Sequence, residues 1–215
     1  MKADENPGAV SYRSSRRLVV AAALGALTVF LGITRLGLIP WFSGASLSIM
    51  HIPVLLGALL EGPVTGMIIG GIFGIFAMIQ ANISASGIVD LAFRNPVVSI
   101  VPRVLFPVAA WLVYKGLSAF FGKFSGKLRA AAVPAAAFTG SLVHTALVLL
   151  TLALVVPAAG LLPEGVPDAT VAGVMLGLLV ANGLPEALAA AVLVSVVVSI
   201  WTGISSRKRS KISEM

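Results

Sequence analysis

Three short basic clusters hold most of the charge in this chain, and the stretches between them are long, uncharged and apolar. The clusters are Arg13, Arg16 and Arg17; Lys115, Lys123, Lys127 and Arg129; and Arg207, Lys208, Arg209 and Lys211. Hydrophobic residues make up 58% of the 215 positions and charged residues 11%, the composition of a protein surrounded by lipid. Lys and Arg accumulate in cytoplasmic loops. The three clusters therefore belong on one side, with an even number of spans between neighbours.

A spanning helix needs about 20 predominantly apolar residues, with about 17 to 25 as the usual range. Six segments are candidates: 18–34, 47–60, 64–79, 96–114, 130–156 and 169–201. The second is short and ends at the turn signal Glu61-Gly62-Pro63. The sixth runs roughly 50 Å at 1.5 Å per residue, too long for an upright span and too short for two. It reads as one tilted helix continuing into the cytoplasm. The expected fold is all-α, a polytopic membrane protein with six transmembrane helices and cytoplasmic N- and C-termini. Residues 1–15 form a cytoplasmic tail, 16–203 the membrane domain and 204–215 a basic cytoplasmic tail. Loops 35–46, 81–95 and 157–168 then lie outside and hold two of the fifteen basic residues.

Six spans and their connections occupy the length, leaving none for a soluble catalytic or nucleotide-binding domain. The absence of cysteine excludes disulfides, thiolate metal sites and cysteine nucleophiles; no metal or other cofactor is expected. A formal net charge of +7 would suggest nucleic acid in a soluble protein. Here the basic clusters flank apolar spans and are explained by topology and contact with anionic lipid. The first apolar stretch follows a polar tail and lacks a small-x-small cleavage site at its far end, so it is expected to be retained.

Helices in lipid associate where small side chains let backbones approach. Gly66, Gly70 and Gly74 form one row on the third helix, and Gly173, Gly177 and Ala181 one on the sixth. Both read as internal packing. The first helix carries Ala22 and Ala26 four apart, Ala21 and Gly25 on the adjoining row, and Gly32 two turns further on.

Polar residues at membrane depth face a cavity or a partner. His51, Gln80, Asn82, Arg94, Asn95, Arg103, His144, Asn182 and Glu186 all fall at outer or middle levels of their spans, with Ala, Val and Leu below. This pattern describes a pocket open to the outside and not a through-pore. Each candidate has two readings. His51 precedes Ile52-Pro53 and either contacts a ligand or else satisfies a carbonyl that the proline leaves free or caps the helix. Arg94 either reaches lipid headgroups or joins the pocket. Arg103, two turns deeper, needs a carboxylate, which is either a ligand's or that of Glu186. His144 is either a buried, hydrogen-bonded core histidine or a ligand contact on which Asn182 and Glu186 converge. Glu61 reads as solvated. Trp41 and Phe42 are interfacial anchors or a lid over the pocket.

Two further classes stay open. An intramembrane enzyme using His51, His144 and Glu186 has against it the lack of any His-Glu-x-x-His or Gly-x-Ser-x-Gly motif. No catalytic residues are assigned. A stand-alone secondary transporter has against it the lack of an inverted repeat.

Four runs carry a resemblance: Met50-His51-Ile52-Pro53-Val54-Leu55-Leu56-Gly57-Ala58-Leu59-Leu60-Glu61-Gly62-Pro63, Phe93-Arg94-Asn95-Pro96-Val97-Val98-Ser99-Ile100-Val101-Pro102-Arg103, Gly140-Ser141-Leu142-Val143-His144-Thr145 and Asn182-Gly183-Leu184-Pro185-Glu186-Ala187. Together they resemble the substrate-binding S components of energy-coupling factor (ECF) vitamin transporters, most of all the pantothenate-like subgroup. The resemblance implies a six-helix protein of the bacterial or archaeal plasma membrane that binds one vitamin from outside. It further implies a transmembrane coupling protein and two cytoplasmic ATPases as partners. Ala22 and Ala26 match the family's docking surface for the coupling protein. Trp41, His51, Asn82, Arg103, His144, Asn182 and Glu186 are the expected substrate contacts, with Arg103 on the carboxylate. His144 departs from the subgroup, whose pattern Gly-Ser-Leu-Thr-Asn-Thr has Asn there. Hydroxymethylpyrimidine, thiamine, riboflavin and folate are the alternative ligands. The chain has no P-loop for ATP, so energy must come from the partners.

Overall fold

The computed structural model describes residues 7–39, 47–85, 88–123, 130–161 and 168–213, and these are overwhelmingly helical. In chain order the elements are α1 (Pro7–Ile33), β1 (Leu38–Ile39), β2 (Leu47–Ser48), α2 (Ile52–Glu61), α3 (Pro63–Ser84), α4 (Ile88–Ala92), α5 (Pro96–Ser99), α6 (Val101–Phe121), α7 (Ala132–Ala158), α8 (Asp168–Leu178), a π-helical turn (Leu179–Gly183) and α9 (Leu184–Ser213). Among the described residues, five helical segments are long and apolar enough to cross a membrane: Ser15–Ile33, Pro63–Ser84, Pro96–Phe121, Ala132–Ala158 and Ala172–Gly203.

The segment expected as the second span is different. Its helix has only 10 residues, about 15 Å at 1.5 Å per residue. Pro53 starts the helix, and the residues before it are extended: β2 pairs antiparallel with β1, Leu38 opposite Ser48 and Ile39 opposite Leu47. A short helix that is apolar on every face must be buried on every face. Residues Ile52 to Ala58 are accordingly all buried, and α2 forms the centre of the core with Ile69 and Phe73 of α3, Phe106 and Ala110 of α6, Ala137 of α7, and Ala190 and Val194 of α9.

The other helices pack around this centre, α7 mainly on α6 and α9, and α3 on α6, α2 and α1. The α3–α6 seam is close. A Cβ at Gly66 would press on Ala58 and Pro107, one at Gly70 would overlap the Arg103 carbonyl oxygen, and one at Gly74 would press on the Ser99 carbonyl. The row Gly66–Gly70–Gly74 is thus internal packing, as expected. The row on the last helix is not: nothing lies within 4 Å of a Cβ built on Gly173 or Gly177. On α1 the two small-residue rows divide. Gly25 and Gly32 pack inward on Ile72 and Phe76, while Ala22 and Ala26 are exposed.

The pairing of Gly66 with Pro107, Gly70 with Arg103 and Gly74 with Ser99 runs α6 antiparallel to α3. Lys115 therefore lies toward the end where α3 starts. At that same end Arg16 meets Glu61 at 2.6 Å, and its guanidinium lies 6.0 Å from the Trp201 ring of α9. The start of α1, Lys115 and the last turns of α9 share one end of the molecule. Glu61 is not solvated as the sequence suggested: its side chain is 7% exposed and ion-paired, because the short α2 ends beside the start of α1.

Candidate functional site

At the opposite end a cavity of about 650 Å³ opens between the helices. Its rim carries exposed residues, Arg35 and Leu38 after α1, Ser84 at the end of α3 and Val89 in α4, and its floor is the buried set Phe73, Arg103 and His144. Thr145, Val148, Leu149 and Leu152 of α7 form one wall, with Met175, Leu178, Asn182 and Glu186 facing them from the last helix.

Arg103 is fixed by its own sequence context. Pro102 has no N–H to give the carbonyl four residues back, which is that of Val98. Arg103 Nη1 takes that carbonyl, donating to Val98 O at 2.5 Å. Its guanidinium carbon sits 4.7 Å from the Phe93 ring centroid and 5.4 Å from that of Phe73, a stacking environment that suits the planar, weakly hydrated guanidinium. The residue is 5% exposed, and its Nε has no protein partner. Ser99, whose hydroxyl bonds the Phe93 carbonyl, closes the turn that presents Phe93.

Glu186 takes other partners. Its Oε1 accepts the Ser48 N–H at 2.6 Å, and its Oε2 lies 3.3 Å from the Thr145 hydroxyl. The carboxylate ties the entry strand β2 to α7 and α9 and does not pair with Arg103. One turn earlier, Asn182 stands in the π-helical turn, buried and in the cavity wall. Pro185 again supplies the cause: it offers no N–H to the Ala181 carbonyl, and the helix widens to i, i+5 bonding over Leu179–Gly183.

His144 lines the cavity, is 6% exposed, and has no protein partner for either ring nitrogen. His51 lies behind it, completely buried and outside the lining, with Nε2 and the Ser141 Oγ sharing a hydrogen bond of 2.9 Å. It stands at the N-terminus of α2 without capping it.

The structure thus brings Arg103, His144, Asn182 and Glu186 together around one cavity. It does not bring Asn82 there: that side chain is exposed and donates to the Met78 carbonyl, because it projects from the face of α3 opposite Phe73, Phe76 and Gln80. Arg94 donates to the Ala81 carbonyl at 3.2 Å, and Asn95 caps α5 by accepting the Val97 N–H. Trp41 and Phe42 lie outside the described residues. Sequence reasoning passed over Arg35, Thr145 and the aromatic residues Phe73 and Phe76, which share a face of α3 with Gln80. The spacing i, i+3, i+7 of that face was a legible signal. No group of three or more potential metal-ligating side chains occurs among the described residues.

Comparison with known proteins fixes the class. Residues 16–198 match the family described as "ECF transporter, substrate-specific component". The chain belongs to that family. This ECF substrate-specific component is a multi-pass membrane protein, and its family is one of transporter components, not of enzymes. Among curated proteins it is similar to the "Pantothenate transporter PanT" of Leuconostoc mesenteroides subsp. mesenteroides, 34% identical over 88 residues. That match covers 36% of this chain and 43% of the relative.

Proposed function

We propose that this ECF component captures pantothenate from outside the cell and delivers it through a coupling protein and two ATPase subunits in the cell membrane. The observation that carries the reading is a buried arginine with an unmet N–H on the floor of a cavity of about 650 Å³, a size within the range for small-molecule sites, about 300 to 1,000 Å³. A guanidinium at that depth calls for an anion. Pantothenate offers a single carboxylate for Arg103, and its hydroxyls and amide suit His144, Asn182 and Thr145. The similarity to a pantothenate transporter supports the same ligand.

The end that gathers Arg16, Lys115 and the last helix is cytoplasmic by the positive-inside rule, which makes the cavity face outward. The chain then passes the bilayer six times, once through the short α2 and the extended residues before it, with both termini inside. Ala22 and Ala26 form the face that the coupling protein meets. Their exposure on α1, beside glycines that pack inward, supports this. ATP hydrolysis on the partners reorients the protein and releases the vitamin.

Affinity purification from the native membrane tests the assembly, with mass spectrometry of the small molecule that comes with it. Stoichiometric ATPase subunits and pantothenate are expected; purification alone, or with another vitamin, overturns the corresponding half. Ala22→Trp or Ala26→Trp should abolish uptake while the isolated protein still binds ligand. Loss of binding in the isolated variant would place these alanines in the internal core instead.

A further inference from the structure

The chain has 2 histidines, and the fold stacks one on the other. The His51 and His144 ring centroids are 5.3 Å apart with an interplanar angle of 15°. Phe106, at 4.8 Å and 59°, and Phe73, at 6.0 Å and 32°, bound the His144 ring on other sides. No hydrogen bond to protein sets its angle, since both its nitrogens lack partners. Its orientation comes from the rings around it. Of those three, His51 alone lies nearly parallel to it, and His51 is itself anchored by Ser141 at 2.9 Å. Ser141 and His144 are three residues apart on α7, hence on one face. The residue that anchors His51 and the ring that His51 backs are therefore neighbours on one helix face.

A buried polar atom without a partner carries an uncompensated desolvation cost, and such an atom in a native structure calls for an explanation. A ligand group that meets the His144 nitrogens supplies one. Neutral imidazole presents one donor and one acceptor, and a hydroxyl answers to both. We propose that His51 and Ser141 are a positioning pair that holds the His144 ring at the angle from which it reads a hydroxyl on the ligand. His51 acts through His144 and does not touch the ligand, which is why it is absent from the cavity wall. This inference rests on the cavity being the ligand site.

Imidazole ¹⁵N NMR on the purified protein is simplified by there being 2 histidines; His51→Leu and His144→Phe assign the two rings. Ser141→Ala, a small change, should shift the resonances of His144 as well as those of His51 in the ligand-free protein. In calorimetry it should weaken pantothenate binding about tenfold, the loss of one hydrogen-bonding contact. Binding of an analogue that keeps carboxylate and amide but lacks both hydroxyls should be unchanged. In a His144→Phe background Ser141→Ala should add no further loss. His51→Phe, which keeps a flat ring, should retain more of the hydroxyl preference than His51→Leu. The proposal falls if the His144 resonances are untouched by Ser141→Ala, if the loss persists in the His144→Phe background, or if both ligands weaken equally with a lower melting temperature. If the wild type fails to bind pantothenate, the ligand assignment falls, and the NMR coupling of the two rings still judges the positioning pair.

Discussion

Among the described residues two arginine–glutamate settings lie one at each end of the molecule, and they are built in opposite ways. At the basic end Arg16 and Glu61 satisfy each other directly at 2.6 Å. At the cavity end Arg103 and Glu186 border the same space, yet each is held by something else: Arg103 by the Val98 carbonyl and two aromatic rings, Glu186 by the Ser48 N–H and Thr145. A pair that closes on itself has nothing left for a third party. Groups held apart, with an Nε and two imidazole nitrogens unmatched between them, keep their capacity for a ligand. Opposite charges in one protein thus form a clip at one end and, under the proposed function, a receptor at the other.

The comparison breaks most decisively at Arg103. Arg103→Ala should weaken ligand binding by about 2 to 5 kcal/mol, at least thirtyfold, since the ligand carboxylate would be buried unpaired. Arg103→Lys should recover only part, because a point charge cannot replace the planar fork. The double variant Arg103→Met with Glu186→Met should bind at least as poorly as Arg103→Met alone; near-normal affinity by calorimetry would make the two a structural pair after all. Gly70→Ala comes next. Its methyl would overlap the Arg103 carbonyl, an overpacking cost of about 1 to 3 kcal/mol, read as a lower melting temperature together with weaker binding. An unchanged melting temperature would show that the seam yields.

Glu186→Ala should loosen the tie to β2 and weaken binding about tenfold, the scale of one charge-assisted hydrogen bond. Glu186→Gln retains an acceptor for the Ser48 N–H and should stay close to wild type; equal losses in both variants would mean that the charge itself matters. The smallest effect belongs to the clip. Arg16 is half exposed, and such pairs contribute about 1 kcal/mol or less, so Arg16→Gln should shift melting slightly and leave affinity within about twofold. A large loss of affinity would join the two ends in one system.

The last helix shows where reading the sequence stopped. Its length was legible, and so was the depth of Asn182 and Glu186, which the structure places in the cavity wall. The π-helical turn between Leu179 and Gly183 was not, although Pro185 announced a missing N–H, because a proline leaves open whether the helix kinks, stops or widens. The short α2 is a parallel case. An apolar run of that length fits one continuous helix or a short buried helix preceded by extended residues equally well, and the structure has the second. Glu61, expected in water, found Arg16 only because α2 ends where α1 begins.

Composition by itself determined a helical membrane protein, because hydrocarbon leaves the backbone few alternatives to a helix. It also marked Arg103, His144, Asn182 and Glu186, since polar groups are scarce enough in such spans to stand out. What only the tertiary structure decided was partnership. Arg103 faces Phe93 and Phe73 in place of Glu186, His51 stacks on His144 and shares a hydrogen bond with Ser141, and Asn82 turns away from the cavity on its own helix. The reason is physical. Whether a residue suits membrane depth is a local property of the side chain, whereas its partner depends on helix rotation and on close approaches such as Gly70 against Arg103, and those are settled by packing among segments distant in sequence.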